Sequence, residues 1–286
     1  MKRIIIGLLL LLACLAAAIF IAPLRAFNAL VPVDRQALHV AADVAYGPDP
    51  RQTFDIYKPD AKAKNLPIIV FCFGGGWASG DKNGYGFIGR AFASRGYLTV
   101  IFNYRLVPQA VFPAFVDDTA AAIVWASRHG ADFGGDPQRI FLVGHSAGAY
   151  NAAMAALDAE FLARAGASTS IIKGVAALAG PFDFLPFDDA AAIAAFSAWP
   201  DSQATQPVNF ANPDAPPFLL LTGTGDRTVN PRNSRALAAR LAAEHASVKL
   251  IEYDGLGHAA VMLAMARPLR WRAPVLEDIV GFFDSL

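Results

Sequence analysis

Residues 140 to 153 read IFLVGHSAGAYNAA, an apolar run that gives way to an alanine-rich one across Gly144-His145-Ser146-Ala147-Gly148. The spacing is G-x-S-x-G, and it carries physical meaning because it sits between a strand-like and a helix-like stretch. The glycines permit a sharp turn that lifts Ser146 above a sheet and sets its hydroxyl at the positive end of a helix. Strand before and helix after favour this reading over a serine that only caps the helix. Ser146 is therefore a candidate nucleophile, with the amide of Ala147 beside it as a candidate donor to an oxyanion. His145 points away from the apex of such a turn and is read as supporting structure.

The same alternation extends outward. PIIVFCF (67–73), LTVIFNY (98–104), IIKGVAAL (171–178), PFLLLTG (217–223) and VKLIEYD (248–254) have the length and the β-branched and aromatic content of buried strands. Apolar residues recur at helical spacing in FVDDTAAAIVWASRH, NSRALAARLAAEH and PVLEDIVGFFDSL. Strands alternating with helices predict an α/β fold, a mostly parallel sheet with helices on both faces. HVAADVAYG and RQTFDIYKP flank a turn-like GPDP and read as an antiparallel N-terminal hairpin on one edge. Residues 181–216 fit neither period and are expected to form a small lid or a long loop.

A nucleophilic serine needs a base, and the base needs an orienting acid, which in this architecture follow it in the order acid, then histidine. Asp226 in TGTGDRTVNP and His258 in DGLGH lie after successive strands, where open α/β sheets place their ligands. A turn aspartate and a solvated loop histidine would not share that placement. Asp183, Asp201, Asp214 and Asp254 are weaker candidates, in an irregular segment, without a preceding strand, or on the histidine's own loop. FCFGGGWASGDK (71–82) puts three glycines directly after a strand. Backbone amides held about 3 Å from a developing oxyanion stabilise acyl transfer by several kcal/mol. Gly75 and Gly76 are the further candidate donors, Gly74 gives the substrate oxygen room, and Trp77 is expected to wall the acyl or alcohol side.

GGGW with ASGDK, FNYRLVP (102–108), FPAFVDD (112–118), DPQRIFLVGHSAGA (136–149), GTGDRTV and GLGH together resemble the α/β-hydrolase superfamily. The likeness is to its esterase and lipase branch, related to hormone-sensitive lipase, kynurenine formamidase and feruloyl-esterase-like proteins. It covers roughly residues 40–285. It implies a serine hydrolase of carboxylic esters acting through an acyl-enzyme, with formamides, thioesters and peptides as alternative substrates. A non-catalytic binding protein on the same fold is the competing class. The branch usually carries His before the glycines; here Phe73 stands there, which alters how the loop is supported. Tyr104 and Arg105 are structural in the family, and Asp117 or Asp118 is expected to ion-pair.

Composition narrows the partners. With 55% hydrophobic residues and 24 basic against 24 acidic side chains, the chain is globular and lacks a nucleic-acid binder's basic stripe. Its five histidines and two cysteines show no metal-ligand spacing, so no metal and no cofactor are expected. Cys14 and Cys72 read as packing residues. Lys2 and Arg3 precede 19 uncharged residues, 4–22, long enough to span a bilayer. The expected organisation is a membrane anchor or signal sequence over 1–22, a linker over 23–36 and a catalytic domain over 37–286. The charge bias puts the catalytic domain on the periplasmic or exterior side of the inner membrane. Ala16 and Ala18 offer the alternative, a cleaved signal and a secreted or periplasmic enzyme.

Overall fold

A computed structural model describes residues 22–286. Strands β1 (Leu38–Ala45), β2 (Thr53–Lys58), β3 (Leu66–Cys72), β4 (Leu98–Phe102), β5 (Gly135–His145), β6 (Ile172–Leu178), β7 (Phe218–Gly223) and β8 (Val248–Tyr253) form one sheet in the order β1-β2-β4-β3-β5-β6-β7-β8. β1 and β2 pair antiparallel, β2 runs antiparallel to β4, and every later pairing is parallel. The α/β class, the parallel sheet and the edge hairpin are as expected. The apolar runs of β3, β5, β6 and β7 are buried because helices cover both faces; each fully buried Ile, Leu, Val or Phe contributes roughly 1.5–3 kcal/mol.

The helices among the described residues are α1 (Pro23–Leu30), α2 (Gly86–Ala93), α3 (Ala114–His129), α4 (Ala147–Leu157), α5 (Ala159–Arg164), α6 (Ala190–Phe196), α7 (Arg232–Ala243), α8 (His258–Leu263) and α9 (Val275–Asp284). Helices α1 and α2 depart from the sequence reading for identifiable reasons. α2 is hidden by Gly86 and Gly89, which depress helix propensity, and it forms because Phe87, Ile88 and Phe92 are buried. The expected linker over 23–36 is partly helical. Pro23 at the first helical position starts α1, and the Phe27 ring meets Phe87 edge-on at 5.2 Å, while Asn28 accepts from the Phe87 amide and donates to the Asn83 carbonyl. Residues 181–216, expected to form a small lid or a long loop, hold α6 and short 3₁₀ turns.

No helix among the described residues is long and apolar enough to cross a membrane. The apolar run begins at residue 4 and all but Ala22 of it lies outside the described residues.

Chain order reverses between β3 and β5, whose carboxyl ends lie side by side with Cys72 opposite Gly144. Such a switch point opens a crevice above the sheet. Past the carboxyl end of β4, Asp118 of α3 is buried and accepts from the Gln52 amide at 2.7 Å, from the Arg105 backbone at 2.8 Å and from the Arg105 guanidinium at 2.6 Å. Asp117 pairs with Arg164 on the surface instead. Asp118→Ala should cost about 3 kcal/mol, at the low end of the ~3–5 kcal/mol for breaking a buried pair because Arg105 is partly solvated. A shift of the urea midpoint at unchanged slope checks this.

Candidate active site

Ser146 joins β5 to α4 with φ 56° and ψ −124°, a conformation that L residues avoid. Its amide donates to the Leu178 carbonyl at 2.8 Å, and its carbonyl accepts from Ala149 and Tyr150. Gly148 explains the flanking glycine: a side chain there would sit 2.0 Å from the Cys72 carbonyl oxygen. The hydroxyl is thereby left free of the turn's own hydrogen bonds and faces His258.

His258, the first residue of α8, places Nε2 2.9 Å from Ser146 Oγ and Nδ1 2.8 Å from Asp226 Oδ2. Asp226 follows β7, and its other oxygen accepts from the amides of Thr228 and Val229, both at 2.9 Å. Burial opposes ionisation, yet the His258 hydrogen bond and the two amides outweigh it and hold the carboxyl below the usual range. Asp254 accepts from Thr224, and Asp201 from the Gln203 amide, so neither faces His258. The structure thus brings Ser146, His258 and Asp226 together in one chain of hydrogen bonds.

The glycine loop lies against this serine. A side chain on Gly74 would strike the Ser146 Cβ at 2.8 Å, and all three glycines line the cavity that holds Ser146 and His258. Gly75 adopts φ 138°, and a side chain there would meet the Ser79 carbonyl at 2.1 Å, so no other residue fits. The amides of Gly75 and Gly76 make no hydrogen bond among the described residues. Ala147 opens α4, where an amide has no intrahelical acceptor. Phe73 is buried and stacks between Tyr85 and Tyr104, at 5.3 and 4.8 Å. Tyr104 donates to the Phe73 carbonyl at 2.9 Å and the Arg51 guanidinium to the Gly80 carbonyl at 2.6 Å.

Trp77 is placed differently from the expectation. It is 3% exposed, donates through its indole to Asn151 at 3.0 Å, and packs among Phe115, Tyr150 and Phe196 rather than on the cavity wall. Its backbone, at φ 55°, turns the side chain down into the core. The wall comes from residues that sequence reasoning passed over. The cavity, about 760 Å³, is lined also by Leu24 and Arg25 of α1, by Tyr85, and by Met262 of α8. Pro23 was the available signal, as a helix start; the contact between α1 and the site has no local signature. Cys72 is no competing nucleophile, since burial pushes its thiol up to about 12.

A family model described as BD-FAE matches residues 54–241. Among curated proteins, a probable isoprenylcysteine alpha-carbonyl methylesterase of Oryza sativa subsp. japonica is 30% identical over 84% of the chain and 62% of its own length. Esterase LipQ of Mycobacterium tuberculosis is 32% identical with the same coverages. The chain thus spans about three-fifths of the length of these relatives. Among solved structures, esterase B of Lactobacillus rhamnosis, crystallised with a tributyrin phosphonate inhibitor, superposes with a TM-score of 0.81 at 26% identity, over 96% of this chain and 94% of that one.

His145 lies beside the relay, its ring 4.8 Å from that of His258 and its Nε2 3.1 Å from the His258 carbonyl, which it meets as a donor. Burial first, and then the neighbouring His258, lower its pKa to about 3. Between that value and the unfolded pKa near 6.5 the unfolded chain holds a proton that the native state refuses. Stability should therefore fall as the pH drops through this window, by up to ~1.4 kcal/mol per unit from this group. His145→Gln keeps an amide donor and loses the titration. Its urea midpoint should vary less with pH between 6.5 and 4 than that of the wild type.

Proposed function

The chain belongs to the BD-FAE family, and we propose that it is a serine hydrolase that cleaves carboxylic esters through an acyl-enzyme intermediate. One observation carries this reading: the unbroken path from Asp226 through His258 to Ser146, at 2.8 and 2.9 Å, beneath a loop with unpaired amides. In the proposed cycle Ser146 Oγ attacks the ester carbonyl as His258 Nε2 takes its proton, and the ionised Asp226 stabilises the imidazolium. Amides of Gly75, Gly76 and Ala147 receive the oxyanion. Collapse of the tetrahedral species expels the alcohol, protonated by His258, and water repeats the sequence on the acyl group.

The names of the relatives, esterase and methylesterase, and the phosphonate on the structural neighbour support an ester over a formamide, thioester or peptide. The cavity walls formed by Leu24, Tyr85 and Met262 suit a small-molecule ester with an apolar acyl or alcohol group. A fluorophosphonate probe should label the wild type and leave Ser146→Ala unlabelled. Asp226→Asn should retain the fold by circular dichroism and lose kcat on the order of 10³ to 10⁴-fold, because the amide favours the wrong imidazole tautomer. Persistent labelling of the alanine variant would overturn the assignment.

We also infer that residues 4–22 anchor the protein in the inner membrane with the hydrolase on the outer side. Their length and lack of charge support this, as do Lys2 and Arg3 on the cytoplasmic flank. Full-length protein should stay in the membrane pellet after a carbonate wash and be cut by protease in spheroplasts but not in intact cells. A soluble periplasmic form starting near Ile19 would replace the anchor by a cleaved signal.

A further inference from the structure

Trp271 is 82% exposed, the most exposed large apolar side chain among the described residues, and it stands in RPLRWR between Arg267 and Arg272. The turn that carries it, Arg267–Arg272, is bound to the segment that follows α1. Arg270 holds Asp34 through two bonds of 2.8 Å, and Arg267 reaches the Val33 carbonyl at 3.4 Å. Leu30, the last residue of α1, and Val33 on that segment are also exposed, at 63% and 43%. These contacts place the stretch from Leu30 to Arg35 beside the turn that carries Arg267, Trp271 and Arg272. Arg35, Arg267 and Arg272 are exposed, and none forms an ion pair among the described residues. The acids nearby are engaged, Asp34 with Arg270 and Glu277 with Arg95.

We propose that this face docks on an anionic lipid bilayer, with Trp271 at headgroup depth. Exposed apolar side chains with a tryptophan suit the interface, where an amphipathic ring has one edge in acyl chains and the other in water. Unpaired guanidiniums match lipid phosphates, which they bind bidentately. Continuity supplies the third argument. The uncharged run ends at residue 22, and Leu30 closes the eight-residue helix α1 that follows it, about 12 Å of helix further on. The proposal rests on the anchoring reading for delivery of the chain to the bilayer, and it adds an orientation. α8 carries His258 at its start and Met262 on the cavity wall, and Arg267 follows four residues after its end. Docking therefore sets the cavity, which Leu24 and Arg25 of α1 help to line, close to the lipid from which an amphiphilic ester would enter.

Full-length protein in lipid nanodiscs tests this, with discs of phosphatidylcholine alone or mixed with phosphatidylglycerol, each made with and without brominated acyl chains. The emission of Trp271 is isolated as the difference between wild type and Trp271→Phe. Docking requires strong quenching of that difference by brominated chains in the phosphatidylglycerol discs and weak quenching in phosphatidylcholine alone. Arg35→Glu with Arg272→Glu should remove the gain from phosphatidylglycerol and leave hydrolysis of a short soluble p-nitrophenyl ester unchanged. Disc-bound protein with unquenched Trp271, or with equal quenching in the two lipids, overturns the docking surface and leaves the anchor standing. Protein that does not co-elute with discs at all overturns both.

Discussion

The site depends on how closely the carboxyl ends of β3 and β5 approach. Gly148 lies so near the Cys72 carbonyl that no side chain fits, and the first turn of α4 is therefore pressed against the end of the neighbouring strand. Ser146 must complete the bend in a left-handed conformation, at φ 56°, which costs of order 1–3 kcal/mol. The buried sheet on either side over-determines that conformation: the Ser146 amide is held by Leu178 of β6, and Ala149 and Tyr150 close the first helical turn onto its carbonyl. Strain at one residue is thus carried by packing many times larger.

Electrostatics then separate two adjacent histidines that differ only in surroundings. His145 is enclosed and kept neutral, which fixes it as a donor to the His258 backbone. His258 is partly exposed to the cavity and hydrogen-bonded to an ionised aspartate, which would be the partner of the imidazolium in the proposed acyl transfer. A neutral His145 also adds no positive charge to compete with that imidazolium.

What the sequence discloses follows the range of each interaction. The elbow, the glycine loop and the parallel strands are written locally, in period, punctuation and β-branched content, and their order along the chain was enough to pick Asp226 and His258 from many acids and five histidines. Helix α2 was hidden because two glycines mask a pattern that only tertiary burial rescues. Trp77 was misplaced because a glycine loop next to a tryptophan says nothing about which side of the backbone the ring takes. That depends on φ 55° and on Asn151, far along the chain, waiting in the core. The part of the wall built by α1 is equally non-local, since Leu24 lines the cavity together with residues as far along the chain as His258 and Met262.

Phe73 shows how the fold accommodates a departure from the pattern it resembles. Where a histidine would hold the loop by its side chain, here the loop is gripped by its backbone acceptors: Tyr104 on the Phe73 carbonyl, Arg51 on the Gly80 carbonyl and, at 3.4 Å, Tyr85 on the Gly74 carbonyl. A phenylalanine stacked between the two tyrosines keeps their hydroxyls directed at those carbonyls. Arg51 is itself tied back to the Tyr104 carbonyl at 2.7 Å, so the three supports form one connected frame. Because all three donate to carbonyls, the amides of Gly75 and Gly76 stay unspent. In the proposed acyl transfer the loop that would receive the oxyanion is therefore held from its carbonyl side, without a histidine before the glycines.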